Sequence, residues 1–146
     1  MSAPKTILVL CTGNSCRSQI AEGYLRYFAG DKATVYSAGI ETHGVNPRAI
    51  AVMREDGIDL SGHSSNHIDE YRHISMDLIL TVCDHARESC PFLPGKKIIH
   101  HSFSDPAKAT GTDEQIMDAF RAVREEIKAY CRTLIDQFLH QSNILE

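Results

Sequence analysis

The sequence predicts a single α/β domain: a four-stranded parallel sheet in three layers, with helices on both faces. Three observations lead there. Short apolar runs alternate with helical patterns along the chain, and such alternation implies parallel pairing through right-handed crossovers. One run, Asp77-Leu78-Ile79-Leu80-Thr81-Val82, is apolar almost throughout, as suits a strand covered on both sides. The chain has 146 residues at 42% hydrophobic content, enough for one core. It shows no internal repeat, low-complexity tract or linker, so residues 1–146 are expected to form one domain.

The elements follow in order. Thr6-Ile7-Leu8-Val9-Leu10 is a β-branched apolar run of strand type. Gln19 to Phe28 reads as a helix. Ala33-Thr34-Val35-Tyr36-Ser37-Ala38 is a second strand, closed by Gly39. Asn46-Pro47 opens a helix, with the proline in its first turn, and Gly57 stops it. Asp77–Val82 is the third strand and Lys97–His101 the fourth, which puts His100 and His101 on opposite faces. In the last segment, about Asp113 to Leu139, Ile116, Phe120, Val123, Ile127, Leu134 and Phe138 recur at helical spacing. Functional sites in such sheets lie at the carboxyl ends of the strands. That rule brings together Cys11, Cys83 and the Phe103-Ser104-Asp105-Pro106 turn.

Between the first strand and first helix lies Cys11-Thr12-Gly13-Asn14-Ser15-Cys16-Arg17-Ser18. Successive N–H groups in such a turn form a nest for an anion, and the following helix adds its positive end. Gly13 permits a positive φ, and Asn14 tolerates one. Arg17 offers a planar fork of donors that fits a tetrahedral oxyanion. Cys11 lies in that field, which favours its thiolate, and a hydrogen bond from the Ser18 hydroxyl would push the same way. Residues 12 to 18 are thus expected to cradle an oxyanion above a nucleophilic sulfur.

Composition limits the remaining possibilities. A net charge of −4 argues against general nucleic-acid affinity. The N-terminus carries no apolar signal core, and no run approaches the ~18 residues of a membrane helix, so a soluble, cytoplasmic protein is expected. The five cysteines, 11, 16, 83, 90 and 131, are an odd set without a signal peptide, and a disulfide among them would be transient and catalytic. Cys83 and Cys90 stand seven apart. Seven residues of intact helix rise roughly 10 Å, beyond disulfide reach, so any helix between them would have to unwind. The intervening stretch is polar, short and cheap to rearrange. Two unrelated loop thiols are the alternative, and zinc is disfavoured by the spacing. Cys16 is expected to pack behind the cradle, and Cys131 to be a core thiol. His85 either tunes Cys83 or is a solvated loop residue.

Cys-x5-Arg-Ser with Gly-Asn inside resembles the phosphate-binding loop of the low-molecular-weight protein tyrosine phosphatases. It looks more like that of their relatives, the thioredoxin-coupled arsenate reductases. The likeness runs nearly end to end, through Ser37-Ala38-Gly39-Ile40, Asn46-Pro47, Asp105-Pro106-Ala107 and Thr110-Gly111-Thr112. The phosphatases lack the redox pair and usually carry tyrosines after Asp-Pro, where this chain has Ala107 and Lys108. The resemblance implies a low-molecular-weight phosphatase-like fold and reduction of arsenate to arsenite. It implies three working cysteines, with Cys11 as nucleophile and disulfides first at Cys11–Cys83, then at Cys83–Cys90. Thioredoxin would regenerate the thiols. Arg17 would hold the anion and Asp105 would serve as general acid, although Asp105 could instead cap a turn. Some of these reductases bind potassium through residues resembling Asn14, Glu22 and Ser37 together with a carboxylate. That carboxylate aligns with Asn66, which is uncharged, and this weakens the case for the ion; no cofactor is expected. A monomer is expected. A tyrosine phosphatase of the same fold and a redox sensor that binds oxyanions are the other readings.

Overall fold

The alternating pattern resolves into four parallel strands. In the computed structural model, which describes residues 4–84 and 97–141, they are β1 (Lys5–Cys11), β2 (Ala33–Gly39), β3 (Leu78–Thr81) and β4 (Ile98–His100). Their order is β2-β1-β3-β4, so β1 is flanked on both sides. That position explains its composition: Ile7, Leu8 and Val9 have no exposed surface at all. Leu78 and Leu80 of β3 are equally buried. The register aligns Cys11 with Gly39, and Leu10 with Thr81, so the strand ends form one rim.

Helix α1 (Arg17–Ala29) starts directly after the loop, with Cys16 in the N-cap position. Asn46 caps α2 (Pro47–Glu55), accepting from the Arg48 N–H, and Pro47 occupies its first turn. Thr112 opens α3 (Asp113–Ile135) with a capping box shared with Gln115. The chain then continues through a π turn, Asp136–Gln141, so the long helical pattern changes its hydrogen bonding after Ile135. All three helices contact one another. Ser37 of β2 reaches toward α1, whereas Tyr36, on the opposite face of the strand, meets Tyr71 of a 3-10 turn, Ile68–Tyr71. Buried side chains from strands and helices join in one cluster. Among the described residues, no helix is long and apolar enough to cross a membrane.

Candidate active site

The loop after β1 turns on Asn14, which adopts φ 50°, the one positive φ of a non-glycine among the described residues. An asparagine accepts that conformation when its side chain is bonded locally. Here its Nδ2 donates to Ser18 Oγ at 2.8 Å and to Ser37 Oγ at 2.9 Å. Its Oδ1 accepts from the Asn66 N–H at 2.7 Å. The fully buried Gln19 amide donates to the Asn14 carbonyl and to that of Ser64. Three segments of the chain, α1, β2 and the stretch 64–66, therefore meet at one loop residue.

The rest of the loop is closed by backbone bonds. The N–H groups of Glu41, His43 and Asn46 donate to the carbonyls of Thr12, Gly13 and Ser15. With its carbonyls turned outward, the loop keeps its own N–H groups for the centre. Gly39 is needed for close approach, since a Cβ there would lie 2.5 Å from the Glu41 carbonyl oxygen, whereas one on Gly13 would meet only the exposed His43 ring. In sequence Gly39 marks only the end of a strand; its packing against the loop backbone has no local signature.

Arg17 leans across the loop. It donates to the Phe103 carbonyl at 3.1 Å and lies 3.6 Å from Asp105. Its Nε is buried with no hydrogen-bond partner among the described residues. A buried charged donor left unmatched by protein groups suits an anionic ligand. Asp105 faces Arg17 and also caps the turn Pro106–Lys108, accepting from the Ala107 N–H at 3.0 Å. The cap and the cleft-facing position, alternatives on sequence, coexist.

Cys11 and Cys83 are each 3% exposed, and their thiols are in hydrogen-bonding contact. Thr12 Oγ1 lies 3.2 Å from Cys83 Sγ. This contact corrects one expectation. The loop field alone favours a Cys11 thiolate, yet Cys11 is pushed well above the ordinary thiol range. The bond to Cys83 is the largest cause and burial the next; the Arg17 charge and the Thr12 backbone pull the other way. The two sulfurs titrate as a pair, in which one negative charge opposes a second. Ser18 Oγ accepts from Asn14 Nδ2, and the bond expected from its hydroxyl to the Cys11 sulfur is not found among the described residues. Cys16 is buried beside the loop, its thiol pushed up to about 11, chiefly by burial. Cys131 is fully buried and donates to the Ala21 carbonyl in the core. Cys90 and His85 lie outside the described residues.

Together these groups line an open cleft of about 710 Å³, with Thr12, Gly13, Ser15, Cys16, Arg17 and Asp105 around Cys11 and Cys83. Its far wall carries Ala107 and Lys108 rather than aromatic rings. Behind the loop lies a second polar cluster. Buried Glu22 accepts from Ser37 Oγ at 2.5 Å, pairs with Arg26 at 2.9 Å, and has His63 at 3.5 Å. These residues do not fit a potassium ion. The Glu22 and Asn14 side-chain oxygens already accept hydrogen bonds from protein groups, and Asn66 Oδ1 accepts from Ser64. The Arg26 guanidinium supplies the positive charge. Arg26 and His63 were not foreseen from sequence, where each reads as an ordinary surface residue.

Comparison with known proteins agrees with the geometry. The family model described as low molecular weight phosphotyrosine protein phosphatase matches residues 6–143. The chain is 50% identical over 133 residues to an arsenate reductase of Halalkalibacterium halodurans, covering 90% of this chain and 96% of that one. It is similar to a solved arsenate reductase in the phosphate-binding state, with TM-score 0.75, 33% identity, and coverage of 91% of this chain and 98% of that one. It also shares its fold with a thioredoxin-dependent arsenate reductase of Corynebacterium glutamicum, with TM-score 0.73, 24% identity, and coverage of 93% and 62% respectively.

Proposed function

We propose that this chain, which belongs to the low-molecular-weight phosphotyrosine protein phosphatase family and is half identical to arsenate reductases within it, reduces arsenate to arsenite through a three-thiol relay. The observation that carries the reading is the second sulfur: Cys83 in contact with Cys11 at the floor of an oxyanion cradle. Phosphate ester hydrolysis needs one nucleophile there, whereas a two-electron reduction needs a pair of thiols.

Arsenate binds in the loop, with the unmatched Arg17 Nε directed to it. The Cys11 thiolate attacks arsenic, and an oxygen leaves as water on a proton from Asp105, which must be protonated for this step. Cys83, as thiolate, then attacks the Cys11 sulfur. The sulfur–arsenic bond breaks and its electron pair stays on arsenic, so arsenic(V) becomes arsenic(III) and leaves as arsenite. The protein is left with a Cys11–Cys83 disulfide. Cys90 next attacks Cys83, Cys11 departs as thiolate, and the bridge becomes Cys83–Cys90. An external dithiol of the thioredoxin type reduces that bridge by exchange. At each attack only one of the two paired thiols need be anionic.

The test is a single turnover with arsenate, an alkylation quench and mapping of the bridges by mass spectrometry. Cys11→Ser should give no turnover, and Cys83→Ser should stop with arsenic on Cys11. Cys90→Ser should accumulate Cys11–Cys83 after about one turnover. Normal steady-state turnover of Cys90→Ser with thioredoxin would refute the relay.

A further inference from the structure

The last paired residue of β3 is Thr81, so Cys83 lies beyond the ladder. Backbone bonds extend one residue further, from the Val82 N–H to the Leu10 carbonyl and from the Phe103 N–H to that of Val82. Among the described residues, a side chain from β4 holds the chain immediately after Cys83. One nitrogen of the His100 ring, Nδ1, lies 2.8 Å from Thr81 Oγ1, and the other, Nε2, lies 2.9 Å from Asp84 Oδ1. A carboxylate can only accept, so Nε2 carries the hydrogen. In the neutral ring, Nδ1 then accepts from the Thr81 hydroxyl. Thr81 is 2% exposed and anchors the inner end of this bridge. The imidazole therefore spans residues 81 and 84 and brackets Cys83. His100 does not line the cleft and touches neither the loop nor Arg17 among its hydrogen-bond contacts.

We propose, building on the relay above, that His100 and Asp84 are positioning residues for Cys83, tethering its backbone so that its sulfur stays against Cys11. The tether acts on closure of the Cys11–Cys83 bridge and not on oxyanion binding. A nucleophile displaced by about 1 Å can lose up to ~100-fold in rate, so loss of one tether bond on an otherwise anchored turn is expected to slow closure about tenfold.

The experiment measures Cys11–Cys83 closure in a Cys90→Ser background by rapid alkylation quench, with two triggers. One is arsenate. The other is hydrogen peroxide, which converts one thiolate to a sulfenic acid with loss of hydroxide; the second thiol condenses with it and releases water. With either trigger, His100→Ala and Asp84→Ala should close about tenfold more slowly than the parent. His100→Gln places its amide nitrogen near the Nε2 position and should restore most of the rate. His100→Asn reaches only the Nδ1 position and should not. Phosphate affinity of the His100 variants, measured by calorimetry, should equal that of the parent. Parent-like closure in Asp84→Ala, equal rescue by Asn and Gln, or parallel loss of phosphate binding would each overturn the proposal. A bridge formed with peroxide but not with arsenate, with the same ratios among variants, would remove the arsenate relay and leave the tether standing.

Discussion

Replacing Gly39 by alanine is a small change in sequence with a calculable effect on the cradle. Gly39 ends β2 beside Cys11, and its φ is not in the left-handed region, so the effect is purely one of space. The added methyl carbon would lie 2.5 Å from the Glu41 carbonyl oxygen, 2.7 Å from the Asn14 nitrogen and 2.8 Å from the Thr12 carbonyl oxygen. Such contacts are not sustained below 3.0 Å, so the backbone must yield by about 0.5 Å. All three neighbours are main-chain atoms, and two of them belong to the anion loop, so no side chain can rotate away. Overpacking of this kind costs roughly 1–3 kcal/mol, which for a chain of this size lowers Tm by roughly 4–8 °C at the middle of that range. A shift of ~0.5 Å is also the tolerance of a preorganised site. Phosphate affinity should therefore fall by about tenfold or more, equivalent to ~1.4 kcal/mol. Calorimetric titration with phosphate and thermal denaturation read the two effects separately. Gly62→Ala is the control: its Cβ would meet nothing within 4 Å, and both quantities should stay at parent values. A Gly39→Ala protein that bound phosphate as tightly as the parent would refute the close-packing account of the loop.

Further outcomes follow from the same geometry. Cys83→Ala removes the largest group that raises Cys11, so the Cys11 thiolate should appear at lower pH in an absorbance titration near 240 nm; an unchanged or higher midpoint would contradict the paired-thiol picture. Arg17→Lys exchanges a planar fork for a point charge and forfeits the buried Nε donor, and phosphate affinity should drop about tenfold or more in the same calorimetric assay. Turnover in potassium chloride should equal that in sodium chloride at matched ionic strength, because Arg26 already balances Glu22; a several-fold preference for potassium would show otherwise.

The parts of the molecule legible in sequence are those whose signal is local. The β1 run, the Asn46-Pro47 helix start and the Cys11–Ser18 loop each declare themselves within a dozen residues; the first two form as expected, and in the loop Asn14 takes the positive φ while Gly13 does not. The sequence bounds of β3, Asp77–Val82, and of β4, Lys97–His101, exceed the paired residues by one at each end, although those end residues still exchange backbone hydrogen bonds with neighbouring strands. What could not be read is what depends on distant partners. Thr12 meets Cys83 across 71 positions, and Asn14 meets Asn66 across 52. The strand-end rule brings Cys83 to Cys11, yet nothing in Cys11-Thr12-Gly13 announces that this second thiol raises the first. His100 likewise gains meaning only when strand order sets it beside Asp84, whereas Arg26 reaches Glu22 by i,i+4 spacing within α1.

Asn14 takes its hydrogen bonds from α1, from β2 and from the stretch before the Ile68–Tyr71 turn. No fragment lacking any of these can hold the loop in its anion-binding shape. A nascent or damaged chain would thus neither gather an oxyanion over Cys11 nor hold Cys83 against it until synthesis and assembly of the sheet are complete.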